Sequence, residues 1–158
     1  PLKSTDGMAP LGERVAGATA LTAAEPRVVV TDLERAFETR YTVDTLDKLK
    51  DRYPDTRWVW IMGADNLSEV HQWKDWTRIF ETVPVAVFDR PSYSFQALQG
   101  VAARRFAQQR KSRVQATKLA DMAPPAWVFL WSAFDPASAT AIRQGAGGTA
   151  KRSEEHTS

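Results

Sequence analysis

The chain has 158 residues, with 21 Lys and Arg against 19 Asp and Glu, and no cysteine. A net charge of +2 gives no argument for nucleic acid or a membrane surface, and the lack of cysteine excludes disulfide frameworks, thiolate zinc sites and iron–sulfur clusters. With 43% hydrophobic and 25% charged residues the composition is that of one globular domain, His71 and His156 are too few for a histidine metal site, and no apolar run reaches the ~20 residues of a membrane span. Leu11, Val15, Ala18 and Leu21 recur at helical spacing and predict an amphipathic helix over about residues 8–24. Residues 27–31 (Arg-Val-Val-Val-Thr), short and β-branched, predict a strand. After a polar stretch, Thr42 is placed to cap a helix with Asp44 in its electropositive first turn and Val43, Leu46, Leu49 and Tyr53 on its buried face. Residues 58–62, 83–88 and 126–131 are nearly continuous apolar runs, and strands apolar on both faces belong to parallel sheets covered by helices. Helical patterns at 66–82 and about 95–109 separate them, so the order β-α-β-α-β predicts an α/β doubly wound parallel sheet with ligands outside the carboxyl ends of its strands. Those ends are residues 63–66, 89–91 and 132–140.

These ends carry residue types that handle nucleotides. In Ser138-Ala139-Thr140-Ala141-Ile142-Arg143 a serine cap leaves helix N–H groups free to meet an anion, with Thr140 and Arg143 on one face beside them. Alone, the hexapeptide reads first as a Ser-capped surface helix with a solvated arginine, and the other motifs shift that balance. In Gly63-Ala64-Asp65-Asn66 the glycine admits a close backbone approach and Asp65 can accept hydrogen bonds from ribose hydroxyls, or the four residues are a turn with an Asp cap. Trp73 and Trp76 fall on neighbouring helical positions, one for the core and one for stacking on an aromatic or cationic ring, unless both are core. Asp89-Arg90-Pro91 offers a guanidinium to a phosphate or forms a surface turn. Arg104, Arg105, Arg110, Lys111, Arg113 and Lys118 interleave only Phe106 among them and read as a solvated face with no assigned role.

Together the motifs resemble the bacterial nicotinate-nucleotide adenylyltransferases, nucleotidyltransferases of Rossmann-like fold. Pro1-Leu2-Lys3 resembles that family's Asn-Pro-Leu-Lys loop, and Tyr41-Thr42-Val43-Asp44-Thr45-Leu46 its Tyr-Thr-x-Asp-Thr-Leu helix start. The most specific match is Trp60-Ile61-Met62-Gly63-Ala64-Asp65-Asn66-Leu67 followed by His71-Gln72-Trp73. Asp89-Arg90-Pro91 and Ser138 to Arg143, similar to the Ser-x-Thr-x-x-Arg phosphate motif, complete an ordered set over about residues 1–144.

The resemblance implies adenylyl transfer from ATP to nicotinate mononucleotide, giving nicotinate adenine dinucleotide and pyrophosphate in NAD biosynthesis, with Mg2+ arriving on ATP. It implies a cytoplasmic enzyme with no nucleic acid or membrane partner, and leaves the oligomeric state open. By the same resemblance Ser138, Thr140 and Arg143 grip the ATP phosphates, Trp73 stacks on the pyridinium ring and Thr42 meets the nicotinate carboxylate. Asp65 holds ribose hydroxyls with Gly63 allowing close approach, and Lys3 and Arg90 contact phosphates. The family's Gly-Gly-x-Phe-x-Pro-x-His-x-Gly-His signature, whose histidines bind ATP phosphates, does not occur here. The resemblance therefore implies a partial nucleotidyltransferase domain over 1–144 that is missing its first strands and is inactive alone. Residues 145–158 read as a disordered tail, and from Arg152 they resemble a translated sequencing adapter. A related phosphopantetheine or nicotinamide mononucleotide adenylyltransferase, and a non-catalytic nucleotide-binding module, are the competing readings.

Overall fold

The structure, a computed structural model, describes residues 9–131. Lys3, Ser138, Thr140, Arg143 and the tail from 145 lie outside the described residues.

Four described strands, β1 (Trp60–Gly63), β2 (Val85–Phe88), β3 (Arg110–Lys111) and β4 (Trp127–Leu130), pair in the order β1-β2-β4-β3, every pairing parallel. The three apolar runs become β1, β2 and β4, as their two-sided hydrophobicity predicts. The period of two divides them between two cores. Met62, Val85, Val87, Trp127 and Phe129 join the larger one. Ala86 and Val128 face the other way, against Leu119 and Ala126.

The larger core is closed by helices. In α3 (Thr42–Arg52) Val43, Leu46 and Leu49 are buried as their spacing requires, together with Thr45. The segment 64–82 supplies α4 (Ala64–Glu69), a 3-10 turn (Val70–Gln72) and α5 (Trp76–Thr82), with Leu67, Val70, Ile79 and Phe80 inward. α6 (Ser94–Leu98) and α7 (Val101–Arg105) add Ala97, Ala102 and Ala103. The smaller core is covered by a 3-10 stretch (Arg113–Asp121), whose start is held by a reciprocal capping box between Ser112 and Gln115. No helix among the described residues is long and apolar enough to cross a membrane.

Several local expectations need correction. Helix α1 (Leu11–Thr22) forms, but none of its residues is buried and Leu21 is 88% exposed. Residues 27–31 make no strand: a turn closes from Val28 N–H to the Glu25 carbonyl, and Arg27 grips Glu25 at 2.8 Å through two nitrogens. A strand needs a neighbour, and β-branching alone supplies none. The Arg27 side chain also holds the Glu25 carboxyl below the usual carboxylate range. Thr42 is the first residue of α3, not its cap. Tyr41 occupies the cap position, with no side-chain hydrogen bond. Tyr53 lies past the helix end and is exposed, tilted 6.1 Å from Trp58.

The single helix expected over 66–82 is two helices. Trp73 is extended and Asp75 is left-handed (φ 46°), so Trp73 and Trp76 do not share a helix. The pattern over 95–109 is likewise split at Gly100, where a Cβ would stand 3.1 Å from the Ala97 carbonyl oxygen. Two-sided cover fails at β1, an edge of the described sheet: Ile61, level with Ala86, is 63% exposed because the 113–121 stretch stops short of it.

Candidate functional site

Parallel pairing sets the carboxyl ends of three strands level, since Gly63 is opposite Phe88 and Phe88 opposite Leu130. The loops and helix starts that leave these strands therefore meet at one end of the sheet.

At Gly63 the chain passes from β1 into α4 with φ −82° and ψ 162°, a conformation open to any residue. Glycine is required there for space. A Cβ at Gly63 would lie 2.3 Å from Asp65 Oδ1 and 2.8 Å from Arg90 Nε. The Asp65 carboxylate and the Arg90 guanidinium thus close over a bare backbone, 3.6 Å apart, with Asp65 the more buried of the two. Asp65 Oδ1 is buried and has no hydrogen-bond partner among the described residues. At 3.6 Å Arg90 balances its charge without satisfying its lone pairs. The site is a buried acceptor beside a cation, suited to a ligand that brings hydroxyl donors and negative charge.

Arg90 is held by a residue the sequence did not single out. Ser94, at the start of α6, is buried, and its hydroxyl donates to Asp89 Oδ1. The Ser94 hydroxyl oxygen in turn accepts the Arg90 N–H at 3.3 Å and lies 3.2 Å from the Arg90 carbonyl oxygen. Asp89 N–H donates to the Leu130 carbonyl at 2.9 Å, tying the turn to β4. Ser94→Ala removes the donor to a partly buried carboxylate and is expected to cost about 1–3 kcal/mol. Thermal melting checks that cost, and nucleotide titration checks the accompanying loss of Arg90 positioning. Phe95 and Trp131, 6.1 Å apart, and Phe129, 4.9 Å from Trp131, add an aromatic cluster at the same end of the sheet.

A second group gathers at the start of α3. Thr45 Oγ1 lies 2.7 Å from Thr39 Oγ1 and 3.3 Å from the Tyr41 carbonyl, which fixes the chain entering the helix. Lys74 Nζ contacts Asp44 Oδ2 and Oδ1 at 3.2 and 3.3 Å and sits 4.7 Å from the centre of the Tyr41 ring. One turn on, Arg78 binds Asp47 at 2.8 Å. These pairs join α3 to the segment that carries Trp73. Trp76 is edge-on to Phe80 and Phe106 and belongs to the core. Trp73 is half-buried against that core, with no ring partner among the described residues.

The structure thus unites Gly63, Asp65 and Arg90, and separately joins the start of α3, through Tyr41 and Asp44, to Lys74, the residue after Trp73. α4 and the 3-10 turn link the two groups along the chain. Among the described residues no three His, Asp or Glu side chains are grouped to hold a metal.

A family model described as cytidylyltransferase-like matches residues 1–145. The chain is 47% identical over 143 residues to a probable nicotinate-nucleotide adenylyltransferase of Bradyrhizobium sp. (strain ORS 278), covering 90% of this chain and 74% of the relative. It is 47% identical to that of Gluconacetobacter diazotrophicus, over 92% of this chain and 67% of the relative, and 41% identical to that of Rhizobium meliloti, over 94% and 78%. Among solved structures it is similar to Plasmodium falciparum nicotinic acid mononucleotide adenylyltransferase complexed with APC, with a TM-score of 0.55. At 14% identity over 85% of this chain and 61% of the other, that likeness concerns the fold.

Proposed function

The chain belongs to the cytidylyltransferase-like family and, within it, to the nicotinate-nucleotide adenylyltransferases, and from that premise we propose that its site serves adenylyl transfer from ATP to nicotinate mononucleotide. A 5′-phosphate oxygen of the mononucleotide forms a bond to the α-phosphorus of ATP. The bond from that phosphorus to the bridging oxygen breaks, and pyrophosphate leaves. No covalent enzyme intermediate is needed, so the protein's work is alignment and charge stabilisation.

In this proposal Asp65 accepts hydrogen bonds from ribose hydroxyls over Gly63, and Arg90 meets phosphate. Trp73 stacks on the pyridinium ring, while Thr42 and the free N–H groups of α3 receive the nicotinate carboxylate. Ser138, Thr140, Arg143 and Lys3 contact phosphates. Magnesium enters as part of the ATP complex, held by phosphate and water. The reaction belongs to the cytoplasm, where ATP is supplied.

The observation that carries the reading is the buried Asp65 Oδ1, which has a cation beside it and no donor among the described residues. Leaving such an acceptor unpaired costs about 1–3 kcal/mol, which a ribose hydroxyl recovers.

Pyrophosphate release tests the function, assayed with this chain alone and with a relative's His-x-Gly-His strand fused ahead of Pro1. The fused protein is expected to turn over nicotinate mononucleotide in preference to nicotinamide mononucleotide and phosphopantetheine. Turnover of phosphopantetheine alone refutes the reading. Trp73→Ala is expected to weaken mononucleotide binding about five- to thirtyfold, from the ~1–2 kcal/mol of a cation–π contact. Fluorescence titration checks this, and an unchanged affinity removes the stacking role.

A further inference from the structure

We infer that Lys74, by neutralising Asp44, preserves the preference of the mononucleotide site for the acid over the amide; this rests on the placement of the pyridine ring between Trp73 and the start of α3 proposed above. Asp44 is the third residue of α3 and the acidic residue of its first turn. A negative charge in the first turn opposes the binding of a second carboxylate at the free N–H groups of that turn. Lys74 follows Trp73 directly in the chain. Its ammonium contacts both Asp44 oxygens and lies over the Tyr41 ring, so it is held at the helix start.

Both members of the pair are substantially exposed, 45% and 37%, and exposed pairs contribute little to folding. The pair acts through its field. Lys74 cancels the charge of Asp44, so the helix N–H groups and the Thr42 hydroxyl face an incoming carboxylate without net repulsion. A carboxamide carries no charge and is almost indifferent to the pair. The next charged groups along the same helix contact, Asp47 and Arg78, are paired with one another and leave the balance unchanged.

The two halves of the pair should therefore act with opposite sign. For unit charges several ångströms apart in surroundings between a protein surface and water, each change is worth about three- to fivefold in affinity. Titration of the full chain with nicotinate mononucleotide and with nicotinamide mononucleotide, followed by tryptophan fluorescence, reads the acid-to-amide ratio. Lys74→Met is expected to lower that ratio three- to fivefold, Asp44→Asn to raise it by a similar factor, the double variant to return near wild type, and Lys74→Arg to preserve it. The effects should shrink between about 20 mM and about 500 mM salt, as an electrostatic cause requires and a packing cause does not. A ratio unmoved by both single variants, in a wild-type chain that binds the acid, overturns the inference and leaves the site reading intact. Failure of the wild-type chain to bind either mononucleotide overturns the site reading, and the inference falls with it.

Discussion

Gly63→Ala is expected to leave the melting temperature close to that of the wild type while weakening nucleotide binding by about ten- to a hundredfold, the scale of losing one hydrogen bond to a charged group, about 1.5–3 kcal/mol. The backbone at Gly63, φ −82° and ψ 162°, accepts alanine without strain. The added methyl would stand 2.3 Å from Asp65 Oδ1 and 2.8 Å from Arg90 Nε, and both are atoms of side chains that can swing aside. Moving Asp65 Oδ1 toward water also relieves a buried acceptor that has no donor among the described residues, which offsets part of the cost to the fold. The pairing of carboxylate and guanidinium over the backbone is what is lost. Calorimetric titration with MgATP and with the mononucleotide, set beside a thermal melt, separates the two effects. Wild-type affinity in a folded Gly63→Ala variant would disconnect the Asp65–Arg90 pair from nucleotide binding.

That site was legible in the sequence because its residues stand at the ends of apolar runs, and parallel strands bring such ends together whatever lies between them. Gly63, Asp65 and Arg90 are all of this kind. Ser94 gave no signal, since a serine four residues past Arg90 has no periodicity, and its role emerges only once the turn folds back on it. Lys74 and Asp44 are thirty positions apart and pair only through the packing of α3 against the 73–78 segment. The failures in secondary structure have the same origin. The pattern over 66–82 keeps its apolar spacing across the break at Asp75, because the two helices continue to face one core. β3, two residues within a basic run, exists because Trp127 and Val128 of β4 present a free edge to it, and not through strand propensity of its own. Residues 27–31 have the propensity but pair with no described strand, and no strand formed. Pairing therefore outranked propensity in both places.

Trp127→Ala is expected to destabilise the domain by about 3–5 kcal/mol, the range for removing a fully buried large aromatic, and so to lower its melting temperature by roughly 10 °C or more. Trp127 is 1% exposed and stands in β4 between β2 and β3, opposite Val85 on one side and Arg110 on the other. Its indole Nε1–H donates to the Phe106 carbonyl at 2.7 Å, fastening the end of α7 to the sheet, and the Arg110 guanidinium lies 5.4 Å from the ring centre. Trp127→Phe separates these contributions. It keeps most of the apolar volume but removes the hydrogen bond, while Phe106 O still accepts the Gln109 N–H, so a loss of only about 1–2 kcal/mol is expected. Trp58 and Trp60 provide the control, because their indole nitrogens are buried with no partner among the described residues. Changing either to phenylalanine removes an unsatisfied donor together with some packing, and the two effects oppose each other, so each variant should melt higher than Trp127→Phe. Denaturant and thermal unfolding of the three phenylalanine variants give the comparison. Equal losses at all three positions would mean that the Trp127–Phe106 hydrogen bond contributes nothing, and that ring volume alone holds α7 to the strand whose far end borders the site.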